Sequence, residues 1–280
     1  MKLWSLLFVP GDRPDQMIKA LGTSADALIL DLEDAVAPGA KGTARAAVAE
    51  FLGNRSTGGP TLFVRINPLD SDHCAGDLEL LAGVLPDGVV LPKAEGARSV
   101  AALRERVAVC PPILPIATET PAAIFTLGSY AEVAAHLCGL TWGAEDLPAA
   151  IGAATSRDAA GGLLPPYELA RSLTLFAAHA AGVPAIETVY PAFKDLDGVA
   201  AYAARGARDG FVGMMAIHPG QVAPIHAAFT PSPAALAHAR AVVAAFEAAP
   251  SAGALQLDGR MIDAPHLKQA RALMARAGEG

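Results

Sequence analysis

Short apolar runs rich in Val, Ile, Leu and Phe recur along the chain, each followed by a turn and an alanine-rich stretch with helical spacing. There are eight such runs: LWSLLFV (3–9), ALILDL (27–32), TLFVRI (61–66), GVVLPK (88–93), PILPIA (112–117), CGLTWG (138–143), PAIETV (184–189) and FVGMMAI (211–217). Strands apolar on both faces suit a parallel sheet, and their alternation with helices selects an α/β architecture. Eight repeats within 280 residues predict a (β/α)₈ TIM barrel, which takes roughly 250 residues as one domain. A doubly wound open sheet is the alternative. Against it, the first strand runs into Pro10-Gly11-Asp12-Arg13-Pro14 and not into a glycine-rich dinucleotide fingerprint.

The pattern continues past the eighth strand. Residues 231–249 read as a helix, 255–262 (LQLDGRMI) as two short strands joined by Asp258-Gly259, and 265–277 as a final helix. The expected division is therefore a barrel over 1–230 and a C-terminal helical and hairpin tail over 231–280. A hairpin and one helix are not stable alone, so this segment is expected to pack on a barrel, its own or a neighbour's.

Composition narrows the function. With 52% hydrophobic and 18% charged residues the chain is expected to be compact, and its net charge of −7, with no run of Lys or Arg, argues against a nucleic-acid or anionic-membrane surface. No stretch approaches the roughly 20 apolar residues of a membrane span, and residues 3–9 read as a strand, not as a signal peptide. Cys74, Cys110 and Cys138 have neither disulfide-framework nor zinc-site spacing, which fits a reducing cytoplasm. A small-molecule partner is expected.

Candidate chemistry lies where strands end, since barrels of this kind react at their carboxyl-end face. Asp31, Glu33 and Asp34 follow strand two, Arg65 and Asn67 strand three, Lys93 strand four, and Glu119 strand five. Glu145 and Asp146 follow strand six, Tyr190 strand seven and His218 strand eight. Charges so near a core must be paired, metal-bound or solvated in a cavity. Glu119 and Asp146 follow adjacent strands, about 4.8 Å apart in a sheet, and two hard carboxylates without His or Cys nearby point to Mg²⁺. Capping of the next helix is the other reading of Asp146. Arg65 suits a substrate carboxylate or an ion pair with Asp31, Glu33 or Asp34. Arg13 and Lys19, just after strand one, could hold phosphates or could simply face solvent. His218 and Tyr190 read as structural.

Taken together, LLFVPGDRP, ALILDLEDAV, VRINP, VLPK, TWGAEDL, TVYPAF and AIHPGQV resemble the HpcH/HpaI aldolase and citrate lyase beta-subunit family over nearly the whole chain. The tail string DGRMIDAPHLKQAR is similar to the lid of the stand-alone citramalyl-CoA and malyl-CoA lyases of that family. The resemblance implies a (β/α)₈ barrel, Mg²⁺, an acyl-CoA substrate cleaved to acetyl-CoA and a 2-keto acid, and a homotrimer or dimer of trimers. It assigns Glu119 and Asp146 to the metal, Arg65 and Glu119 to the substrate, and Arg13 and Lys19 to CoA. Asp263 corresponds to a catalytic carboxylate that the lid carries into a neighbouring subunit, although an Asp before Pro265 is also a good helix cap. The chain departs from the pattern in having Trp4 before Ser5, no lysine in the 213–219 stretch, and Thr118 before Glu119. Two other activities fit the same motifs: a CoA-independent pyruvate aldolase, and a citrate lyase subunit working on a carrier-bound acyl group.

Overall fold

The computed structural model describes residues 2–55, 58–159 and 161–278. Eight parallel strands form one sheet: β1 (Ser5–Pro10), β2 (Ala27–Asp31), β3 (Thr61–Arg65), β4 (Gly88–Leu91), β5 (Ile113–Pro115), β6 (Leu140–Thr141), β7 (Ala185–Glu187) and β8 (Gly213–Ala216). Their order is β5-β4-β3-β2-β1-β8-β7-β6. The ring closes between β5 and β6 through two isolated parallel bridges, Ile113 with Leu137 and Ile116 with Thr141. This is the barrel that the strand and helix alternation predicts. Each strand falls within its expected run, give or take one residue, but β6 is cut to two residues.

Strand periodicity explains the interior and, above it, the site. Side chains two apart share a face, so Leu6, Ala27, Ile29, Phe63, Val90, Leu114, Ile116, Ile186 and Met215 fill the barrel. Gly88 leaves the space that the Phe63 ring occupies. Continuing the same parity outward brings Phe8, Asp31, Arg65, Thr188 and Ile217 to the carboxyl-end mouth, where all five line one cavity of about 400 Å³.

Around the strands lie α1 (Pro14–Leu21), α2 (Lys41–Gly53), α3 (Cys74–Gly83), α4 (Ala97–Arg106), α5 (Pro121–Ile124), α6 (Asp146–Ala150), α7 (Pro165–Ala181), α8 (Leu196–Asp209) and α9 (Val222–Phe229). Between β5 and β6 the chain crosses mainly by a 3₁₀ segment, Leu127–His136. No helix among the described residues is long and apolar enough to cross a membrane.

Two compact units divide the chain, residues 1–227 and 228–280. The second holds α10 (Pro233–Ala248), an antiparallel hairpin of β9 (Ala254–Leu257) and β10 (Arg260–Asp263), and α11 (Ala264–Arg276). Asp258 and Gly259 both take positive φ at the hairpin turn, as a two-residue turn of this type requires. Ala239, Val242, Ile262 and Ala270 form its small core.

Candidate active site

The ends of β2 to β6 each contribute a charged group, and the structure links these five ends into one network. Asp31 ends β2, and its carboxylate is saturated. Oδ1 accepts from the Glu33 amide at 2.9 Å and from Arg65 Nε at 2.7 Å, and Oδ2 accepts from the Ala35 amide at 3.0 Å and from Arg65 Nη2 at 2.7 Å. Arg65 is thus held as a bidentate fork on the neighbouring strand, its face over the Phe8 ring at 4.8 Å. Its Nη1 turns to Glu33 Oε2 at 2.7 Å, a charge contact outside hydrogen-bond geometry, and to Asp34 at 3.4 Å. Burial works against the arginine's charge, but the bonds and charges of these three carboxylates outweigh it and raise its pKa. Arg65 is a fixed cation at the cavity wall, compatible with both readings of it from sequence.

Lys93 ties this half of the site to the other. Its ammonium donates to Glu33 Oε1 at 2.7 Å and lies 3.6 Å from Asp146 Oδ1, while its backbone amide donates to Glu119 Oε2 at 2.6 Å. The backbone here is left-handed, with φ +49, which is uncommon for a residue with a side chain. Lys41, buried, supports the loop after β2 that carries Glu33, donating to the carbonyls of Leu32 at 2.6 Å and Glu33 at 2.7 Å.

Glu119 and Asp146 line the same cavity as Arg65. Glu119 is 4% exposed. Burial, together with the charges of Glu33 and Asp146, pushes its carboxyl up to about 8, against the opposing pull of the Lys93 amide and charge. Asp146 is the first residue of α6, whose N-cap position is held by Glu145, and its carboxylate is turned to the Lys93 ammonium. Among the described residues no three His, Cys, Asp or Glu side chains converge as a cage. The donor set is therefore two carboxylates beside open cavity, which suits a hard cation that keeps much of its water shell, such as Mg²⁺.

Gly143 makes room for this arrangement, because a Cβ there would lie 2.7 Å from Glu119 Cγ. The Gly143→Ala variant should fold yet displace Glu119 and weaken Mg²⁺ binding about tenfold or more, the scale seen when support of a metal ligand is lost. Calorimetric titration checks this, and wild-type affinity in the variant would remove the argument for a close fit. Thr118 stitches the two strand ends beside it. Its hydroxyl accepts from the Gly143 amide at 3.2 Å and donates to the Gly143 carbonyl at 3.3 Å.

The remaining candidates sort by their contacts. Arg13 precedes α1 and Lys19 lies in its last turn; both are exposed, Arg13 3.6 Å from Asp12 and Lys19 3.3 Å from Asp15. Asn67 serves the fold, donating its side-chain amide to the Leu32 carbonyl and to Asp77. His218 accepts from the Gly220 amide and stacks on Phe193, and Tyr190 packs on Tyr202 while donating to Asp195. Asp263 stands at the N-cap of α11 and pairs with His266 Nδ1 at 2.5 Å, which lowers its pKa. Glu145 lines the cavity beside Asp146, its pKa raised by burial against the pull of Arg157.

Sequence reasoning noticed Lys93 at a strand end but gave it no role, and it missed Lys41 and Glu187. Glu187 ends β7 pointing outward into the shell. Its Oε1 accepts from Trp142 Nε1 at 2.6 Å, the Thr188 amide at 3.0 Å and the Tyr202 hydroxyl at 3.2 Å, and its Oε2 accepts from Arg171 Nε at 2.7 Å. A lone acid inside the PAIETV run was the one signal that could have found it.

A parallel barrel that gathers carboxylates, an arginine fork and a bridging lysine at its carboxyl-end mouth has the layout of an enzyme site. A profile of the HpcH/HpaI aldolase/citrate lyase family matches residues 4–219, and the chain belongs to that family. It is 36% identical over 277 residues to a (3S)-malyl-CoA thioesterase of Cereibacter sphaeroides, covering 98% of this chain and 94% of that protein. It is 33% identical over 293 residues to the mitochondrial citramalyl-CoA lyase of Rattus norvegicus, covering 98% and 85%. The crystal structure of CitE from Mycobacterium tuberculosis with magnesium, acetoacetate and coenzyme A superposes with a TM-score of 0.86 at 36% identity, over 98% of each chain.

Proposed function

We propose that this protein is a Mg²⁺-dependent carbon–carbon lyase that cleaves, or forms, a 3-hydroxyacyl-CoA of the malyl-CoA or citramalyl-CoA type, giving acetyl-CoA and a 2-keto acid. The observation that carries this reading is the placing of Glu119 and Asp146 in one cavity with the Arg65 fork. The relatives named for malyl-CoA and citramalyl-CoA chemistry, and the neighbour that holds magnesium with coenzyme A, support it.

When bound by Glu119 and Asp146, Mg²⁺ supplies Lewis-acid polarisation of the keto-acid oxygen. The chain's own groups divide the rest. Cleavage removes the proton of the C3 hydroxyl, turns that carbon into the carbonyl of the keto acid, breaks the C2–C3 bond and leaves the electron pair as a thioester enolate, which takes a proton at carbon. Arg65, fixed by Asp31, faces the growing negative charge on the substrate's oxygens without moving to do so. Phe8, Ile116, Val189 and Met215 line the apolar part of the cavity and limit water around the enolate. Arg13 and Lys19 are assigned to CoA phosphates. Asp263 is assigned as the acid–base group, presented by the C-terminal segment to a neighbouring subunit of a homotrimer in the cytoplasm.

Purified protein with Mg²⁺ and (S)-citramalyl-CoA or malyl-CoA tests this. Expected is metal-dependent release of acetyl-CoA together with pyruvate or glyoxylate. The thioesterase relative favours a second reading, hydrolysis, whose signature is free CoA with the intact hydroxy diacid. Asp263→Asn should lower turnover roughly a hundredfold or more, as loss of a general acid–base does, with Mg²⁺ affinity unchanged; full turnover in the variant refutes the role of Asp263.

A further inference from the structure

Lys93 presents two separate groups to the site from one residue. The amide holds Glu119, while the ammonium bridges Glu33 and Asp146. A glycine would hold the left-handed backbone there without strain and would still offer the amide. The position nevertheless carries a lysine, so its ammonium needs its own explanation.

Charge supplies one. Asp31, Glu33, Asp34, Glu119, Glu145 and Asp146 gather at this mouth, and among the described residues Arg65 and Lys93 are the cations in direct ion-pair contact with them, Lys41 and Arg157 acting from farther off. Arg65 is taken up by Asp31, Glu33 and Asp34. That leaves Lys93 as the cation in contact with Asp146, the carboxylate to which the metal is assigned. A group carrying positive charge 3.6 Å from a ligand oxygen competes with a second cation for that oxygen and repels it.

We infer that Lys93 is the counter-cation of the metal-free site: its ammonium spans Glu33 and Asp146 in the absence of Mg²⁺, and the incoming metal must take Asp146 from it. The inference rests on the proposed metal reading and deepens it. Lys93 so acts as a positioning residue, keeping Asp146 ordered and near the cavity while lowering the affinity of the empty site for a divalent ion. Magnesium held loosely for this reason binds well only when an anionic substrate adds its own oxygens and negative charge.

The test is a calorimetric titration of metal-stripped, full-length protein with MgCl₂ alone, in wild type, Lys93→Met, Lys93→Gly and Lys93→Arg. Lys93→Met should bind Mg²⁺ at least about tenfold more tightly than wild type. Its metal-free form should melt at lower temperature, since the carboxylates have lost their neutralising partner. Lys93→Gly keeps the backbone and the amide and should show the same tightening, so it decides the matter if Lys93→Met does not fold. Lys93→Arg, which keeps the charge, should stay near wild-type affinity. Equal or weaker binding in the neutral variants, with wild type binding normally, overturns this inference and leaves the metal assignment standing. No binding by any of the four proteins overturns both.

Discussion

Glu119→Gln should abolish Mg²⁺ binding and lower kcat/KM roughly a thousandfold or more, the scale of losing a main source of transition-state stabilisation. The same substitution should stabilise the metal-free protein at alkaline pH, and the sign follows from the carboxyl's position. Burial holds Glu119 at about 8 in the folded chain, above the ordinary value of 4.5. The folded state thus prefers the protonated form. Its contribution to stability is full below about 4.5 and is lost as pH rises towards and through about 8. Denaturant unfolding of chelator-treated wild type at pH 5, 7 and 9 should show this decline, with a shallower one in Glu119→Gln. A parallel decline in the two proteins would mean that Glu119 is not the group responsible. Metal binding must displace the proton, so Mg²⁺ affinity should strengthen with pH up to about 8, with proton release on binding below it.

Arg171→Met should destabilise the barrel by about 3–5 kcal/mol, because it leaves the fully buried Glu187 without its cation. In a chain of this size that is a fall in Tm of roughly 10 °C. Burial already raises the Glu187 carboxyl, and Arg171 is foremost among the groups that oppose the rise. Without Arg171 the acid folds protonated, so the loss should be smallest in acid and grow with pH. Adding Glu187→Gln to the variant should recover part of the stability, since no buried charge then remains on that side. Thermal unfolding of the single and double variants decides it, and a fall under about 1 kcal/mol, the scale of an exposed pair, would show that Glu187 does not depend on Arg171.

Much of this site is legible in the sequence, for a physical reason. Barrel strands are apolar on both faces, so a polar residue at a strand end stands out, as Asp31, Arg65, Glu119 and Asp146 do. The parity that buries Ile29 and Phe63 carries Asp31 and Arg65 to the same mouth, which period-two reasoning anticipates. What does not show in the sequence is pairing across strands. Nothing in VLPK says that Lys93 turns left-handed and reaches both Glu33 and Asp146, because that conformation is imposed by tertiary contacts. Arg171 sits on a helix of ordinary pattern, and only the fold places it against Glu187. Tail elements were readable from local signals alone: Asp258-Gly259 for the hairpin, and proline near each helix start.

The closure of the ring has a dynamic meaning. Most neighbouring strands are joined by ladders of two to five residue pairs, but β5 meets β6 only through isolated bridges. Opening fluctuations should begin at that seam, and the amides of Ala117 and Cys138, which donate across it to Thr141 and Ile113, should exchange with deuterium ahead of those in β1 and β2. Glu119 follows one side of the seam and Asp146 the other. An ion shared by the two carboxylates, as proposed, would act as a clasp on this thinly paired join, and slower exchange of these two amides would report its arrival without any substrate turning over.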